Sequence, residues 1–130
     1  MNRRTFMQTA LAGLALLGLS RPRKTVASVS VPLFACHAAG FQYYAGPKII
    51  NNLCAGEQLA LVREPANPHD DRAIAVYTAA GQKLGYISRF INEIPARHMD
   101  QGRKLAALVK ETDPSAAPWK MLELTIVLQD

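Results

Sequence analysis

From residue 31 onward the chain never runs far before a turn signal interrupts it, and this spacing constrains the fold more than any other feature. Residues 31–37 are apolar and suit a first strand. Residues 39–47 contain Gly40, Gly46 and Pro47 among three aromatic rings and read as a turn-rich stretch. Residues 49–53 suit one short helical turn, and residues 58–63 a strand with Leu59 and Leu61 on one face. Pro65 and Pro68 make the polar residues 64–72 a loop. Residues 73–78, with Ile74 and Val76 facing one way, turn through residues 79–82 into residues 83–88, which predicts a hairpin. The one sustained helix falls in residues 89–101. Pro95 is tolerated only in its first turns, so it starts at Asn92 or later, and it ends at Gly102. Residues 104–110 form another strand, and residues 112–118 a loop. Residues 119–128 close the chain with Leu122, Leu124, Ile126 and Leu128 on one face. Six short strands and one main helix predict a mostly β fold, closed as a small six-stranded barrel of the OB or SH3 kind, because closure removes exposed edges.

The first 27 residues read differently. Arg3 and Arg4 precede Thr5, Phe6 and Met7, and residues 9–19 are rich in Ala, Leu and Gly. This is the arrangement of an export leader, and it resembles the bacterial twin-arginine signal peptide. The apolar run falls short of the ~20 residues needed to cross a bilayer. The expected leader therefore spans residues 1–27, with cleavage after Ala27, no membrane span afterwards, and a periplasmic or secreted destination; the alternative is an uncleaved N-terminal anchor.

The leader also explains the charge. The chain carries 15 Lys and Arg against 10 Asp and Glu, a net charge of +5. Five of those cations (Arg3, Arg4, Arg21, Arg23 and Lys24) lie in the leader, and no acidic residue precedes Glu57. From residue 28 onward ten basic residues face ten acidic ones. A domain of zero net charge draws no global attraction to phosphate and must rely on local contacts.

No catalytic constellation emerges. The serines lack a nucleophile-elbow setting and the glycines form no phosphate-cradling loop. Cys36 and His37 are neighbours on a strand and point to opposite sides. The cysteines and histidines lack metal-ligand spacing, so neither a metal nor a cofactor is expected. Cys36 and Cys54 either pair in an oxidising compartment or are two small buried residues. The second is preferred, because a barrel that folds before export needs no staple.

Two loops stand out. Phe41, Tyr43 and Tyr44 place three rings within four positions beside Gly40. Phe41 suits the core, whereas two adjacent tyrosines cannot both be buried from one extended segment, so one ring is expected partly exposed. Exposed rings are stacking platforms for bases. Residues 67–72 read as a rigid turn in which Asn67 and Asp70 bond their own backbone, or as a carboxylate, an amide and an imidazole (His69) presented together to a hydroxyl-bearing ligand. Tyr86 and Arg89 add a ring and a cation at the end of the hairpin. Arg89 is either a phosphate contact or a solvated charge at a helix start.

Four segments taken in order carry a family resemblance: residues 39–44 (AGFQYY), 61–70 (LVREPANPHD), 73–77 (AIAVY) and 83–89 (KLGYISR). Over residues 31–128 the chain resembles the HIRAN domain. The resemblance implies a modified OB-like barrel that binds the free 3′-hydroxyl end of single-stranded DNA. It implies that Tyr43 and Tyr44 stack on or flank the terminal nucleotides and that Asp70 accepts a hydrogen bond from the 3′-hydroxyl. It further implies that Asn67 shapes the pocket and that Tyr86 and Arg89 lie by the terminal base and backbone phosphate. Gln42 stands where DNA-binding members carry a basic residue, and His69 and Tyr86 replace other ring types. The implied function is a non-catalytic nucleic-acid-binding module. The alternative, suggested by the leader, the neutral charge and Gln42, is an exported envelope protein that uses the same barrel for a non-nucleic-acid ligand or a partner protein.

Overall fold

The computed structural model describes residues 30–129. The leader expected over residues 1–27 lies outside the described residues. Among the described residues six strands are present: β1 (Ser30–Ala39), β2 (Gln58–Glu64), β3 (Ala73–Tyr77), β4 (Lys83–Ile87), β5 (Lys104–Thr112) and β6 (Leu122–Gln129). They pair in the order β1-β4-β3-β2-β5-β6, and β1 returns to β6 to close a barrel in which every pairing is antiparallel. The two ends of the described chain meet in that closure, with Ser30 opposite Gln129.

The barrel is filled by one face of each strand. Leu59, Ile74, Val76, Leu84, Ile87, Leu122, Leu124 and Ile126 are buried together with Phe41, which is fully enclosed as its sequence context predicts. Burial of this apolar surface, at roughly 25 cal/mol per Å², is the main force holding the sheet closed. Strand β3 departs from simple alternation. Ala73, Ile74, Ala75 and Val76 are all buried, so its second face is covered too.

The helices sit at the ends of the barrel. Residues 49–53, expected as one turn, begin earlier, as the four-residue helix α1 (Gly46–Ile49) with Pro47 in its first turn, followed by a 3-10 turn at Ile50–Asn52. Helix α2 (Glu93–Asp100) starts after Asn92, with Pro95 at its third position, where no intrahelical N–H partner is lost. It ends in a Schellman motif. Gly102 at φ 88° lets its own N–H reach the carbonyl of Met99 at 3.0 Å, and Arg103 N–H reaches the carbonyl of His98 at 3.0 Å. The last strand starts later than expected, because Trp119 belongs to a 3-10 turn at Pro118–Lys120 rather than to β6.

The cysteines correct one expectation. Neither is bonded, and Cys54 is exposed rather than buried, because it sits in the turn that leads into β2. Cys36 is half-buried, and burial, with help from Glu123, pushes its thiol pKa up to about 11. Among the described residues no helix is long and apolar enough to cross a membrane.

Candidate functional site

The loop between β2 and β3 is a chain of tight turns. Asn67, Asp70 and Ala73 donate their N–H groups to the carbonyls of Glu64, Asn67 and Asp70 at 3.0, 3.3 and 3.1 Å. Side chains lock each step. Asn67 Oδ1 accepts from His69 N–H at 2.8 Å, and Asp70 Oδ1 accepts from Arg72 N–H at 2.9 Å. The rigid-turn reading of Asn67 and Asp70 therefore describes how the loop is built. Arg63 fastens the loop from below, donating to the carbonyls of Ala73 and Asp71 at 2.9 and 3.0 Å. It also forks onto both carboxylate oxygens of Asp100, at the end of α2, at 2.9 and 3.1 Å.

The same loop forms one wall of a cavity of about 290 Å³, at the lower end of the ~300–1,000 Å³ usual for small-molecule sites. Its lining joins three parts of the chain: Gly40, Tyr43 and Tyr44; Asn67, His69 and Asp70; and Tyr86 and Arg89. Seven of the eight residues singled out from sequence thus face one space. The eighth, Gln42, is exposed and does not line it, because the 3-10 turn at Phe41–Tyr43 rotates it away from its neighbours. Tyr43 is 77% exposed, while Tyr44 is half-buried and meets Tyr86 edge to face at 6.0 Å between ring centres. One open ring and one seated ring is the arrangement the adjacent tyrosines predict.

A polar hub supports the cavity. The Tyr86 hydroxyl donates to Glu64 Oε1 at 2.8 Å and accepts from Lys83 Nζ at 2.6 Å, and Asn67 Nδ2 donates to the same Glu64 oxygen at 3.0 Å. Lys83 Nζ also lies over the rings of Tyr44 and Tyr86, 4.8 and 4.3 Å from their centres, a cation–π seat. The hydrogen bond from Asn67, followed by those of Tyr86 and Lys83, holds Glu64 below its ordinary carboxylate pKa despite burial. Burial would lower Lys83, but its bond to Tyr86 and the charge of Glu64 outweigh that and raise it. Asp70 is held low by the Arg72 N–H first and the Asn92 amide second. Its carboxylate is therefore acceptor-only, and a ligand must bring a donor to it.

Neither Glu64 nor Lys83 was reachable from strand alternation. In a regular strand Lys83 and Tyr86, three apart, point to opposite faces. Here the pairing of β3 with β4 slips by one residue between Val76 and Tyr77, a β-bulge that brings both to the same side. Gly85, at φ 138°, makes the bend possible, and a Cβ there would run into the carbonyl oxygen of Ala39. Trp119 lies outside the cavity lining. It is 60% exposed, and its 3-10 turn packs against the turn that carries Tyr43. Among the described residues no group of three or more His, Cys, Asp and Glu side chains could hold a metal ion.

The HIRAN family model matches residues 31–129. The chain belongs to the HIRAN domain family. The helicase-like transcription factor of Oryctolagus cuniculus is 39% identical over 72 residues, which is 55% of this chain and 6% of that protein. The same protein of Mus musculus is 43% identical over 61 residues, 47% of this chain and 6% of its own length. The matched stretch is thus a small part of these curated relatives. A crystal structure of a protein from Lactobacillus plantarum superposes with a TM-score of 0.72 at 32% identity, covering 80% of this chain and 99% of that one. The NMR structure of the HLTF HIRAN domain in its DNA-bound conformation superposes with a TM-score of 0.57 at 25% identity, covering 78% of each chain.

Proposed function

We propose that this HIRAN domain is a non-catalytic module that binds the 3′-hydroxyl end of single-stranded DNA in the cavity between Tyr44, Asp70 and Tyr86. The observation that carries the reading is the convergence of an acceptor-only carboxylate, two tyrosines and Arg89 on one space of about 290 Å³. It is supported by a related domain solved in a DNA-bound conformation. A carboxylate accepts from a terminal hydroxyl and repels a terminal phosphate, so Asp70 selects a free end. Tyr43 offers a face for a base, worth about 1–3 kcal/mol and tolerant of sequence. Arg89 takes the backbone phosphate, and Asn67 holds the wall in shape.

The test is to measure binding to single-stranded oligonucleotides that end in 3′-hydroxyl or 3′-phosphate, at low salt. A preference for the hydroxyl end that vanishes in Asp70→Ala is expected; equal binding of the two ends by the unaltered domain sinks the reading. We further propose that residues 1–27 are a twin-arginine export leader and that the domain acts in the periplasm or outside the cell. Replacing Arg3 and Arg4 with lysine in a reporter fusion should then abolish export.

A further inference from the structure

Asn92 spans the gap between helix α2 and the β2–β3 loop. It is fully buried, and its Nδ2 donates to Asp70 Oδ2 at 2.7 Å. It also stands at the position that precedes α2, where asparagine ordinarily turns its side-chain oxygen onto the first free N–H groups of the helix. Here it does not: the side chain makes no cap hydrogen bond, and Oδ1 is buried without a partner among the described residues. A buried, unpaired carbonyl oxygen is costly and calls for an explanation. Helix capping does not supply one, because the capping atom is idle. Core packing does not supply one either, because an apolar side chain of the same size would fill the space without stranding an oxygen. What the amide accomplishes is the bond to Asp70.

That bond completes the fixing of the carboxylate. Arg72 N–H occupies one oxygen and Asn92 the other, so the carboxylate plane is set from two directions, and one more acceptor direction on each oxygen is left for a ligand. Arg63, Arg72 and Arg89 supply positive charge toward Asp70, and His69 lines the same cavity. On the side of α2, Glu93 is engaged by Arg72 at 3.6 Å and by Arg97 at 2.9 Å. Asn92 is the uncharged buried contact among them. We infer that Asn92 is a positioning residue that orients Asp70 for a donor-bearing ligand terminus, coupling helix α2 to the specificity of the cavity. The inference rests on the reading of the cavity as a 3′-end site for its ligand, but not for the geometry of Asp70.

Asn92→Leu tests it in the whole domain, since α2 stays anchored at its far end by Arg63 and Asp100. In the free domain, the carboxyl carbon of Asp70, followed by NMR through a pH titration, should titrate higher in the variant than in the parent. Melting temperature should change little, because loss of the bond to Asp70 is offset by removal of the stranded oxygen. The preference for 3′-hydroxyl over 3′-phosphate should fall on the order of tenfold, the loss expected when a hydrogen bond that orients a charged group is removed. An Asn92 that served structure alone would lower the melting temperature and weaken both oligonucleotides equally, with the Asp70 titration unmoved; that result overturns the inference. Should Asn92→Leu fail to fold, Asn92→Ala carries the same readouts. If the parent binds neither oligonucleotide, the end-recognition reading fails, and the Asp70 titration still decides the role of Asn92.

Discussion

Two hollows lie on either side of the segment that joins β4 to α2, and they differ in an instructive way. The larger, about 620 Å³, is an apolar groove between β1 and α2, lined by Leu33, Phe34, Ala35, Ile91, Ile94 and Pro95, with His98 at its edge. The smaller, about 290 Å³, holds Tyr44, Asp70, Tyr86 and Arg89. In the groove the side chains are interchangeable in chemistry, and His98 is its one polar lining residue among the described residues. In the cavity two polar groups are each fixed by other residues: Asp70 by Arg72 and Asn92, and Tyr86 by Glu64 and Lys83. Size ranks the groove first, but directional groups held in place are what a site needs to discriminate among ligands.

The contrast can be broken by substitution. Tyr43→Ala should have the largest effect, weakening oligonucleotide binding by about 1–3 kcal/mol, roughly 5- to 150-fold in fluorescence anisotropy. It should leave the melting temperature nearly unchanged, because the ring is 77% exposed. Acidification should come next. Asp70 is held below its ordinary value, so the hydroxyl-end preference should persist as pH falls through about 3.9, the usual aspartate range, and vanish only below it. The sign is the same for stability. A depressed folded pKa stabilises the fold above the unfolded value, and this contribution is lost as pH falls through the folded one. An Asp70→Asn comparison by thermal melting at several pH values measures it. Arg89→Ala should cost less, lowering the slope of log affinity against log salt by about 0.7, the loss of one phosphate contact on a single strand. Ile94→Ser, in the groove, should change binding by less than about twofold and stability by no more than ~0.5 kcal/mol, as exposed positions do. Should Ile94→Ser weaken binding as much as Tyr43→Ala, the groove and the cavity would have to be treated as one surface.

The legible and illegible parts of this domain divide along a physical line. The number and order of the strands, the helix stop at Gly102 and the turn chemistry of Asn67 and Asp70 follow from local rules, and the structure has them, although the last strand begins only after the turn that holds Trp119. So do the enclosed Phe41 and the half-open tyrosine pair. The contacts that fix the cavity are not local. Asn92 meets Asp70 across 22 residues, and so does Tyr86 meet Glu64. The bulge in β4 reverses the faces that alternation assigns, which hid Lys83. Asn92 is marked by the sequence only as the earliest start of the helix, and nothing local shows that its side chain is buried against Asp70.

The pairing of Ser30 with Gln129 has a consequence for architecture. A chain that enters and leaves a barrel at adjacent points of one rim behaves as a cassette. It can be spliced into a surface loop of a host protein, or strung before or after other modules, without the host having to spread its ends apart. The described lining of the cavity comes from residues between those two points, so it travels with the cassette.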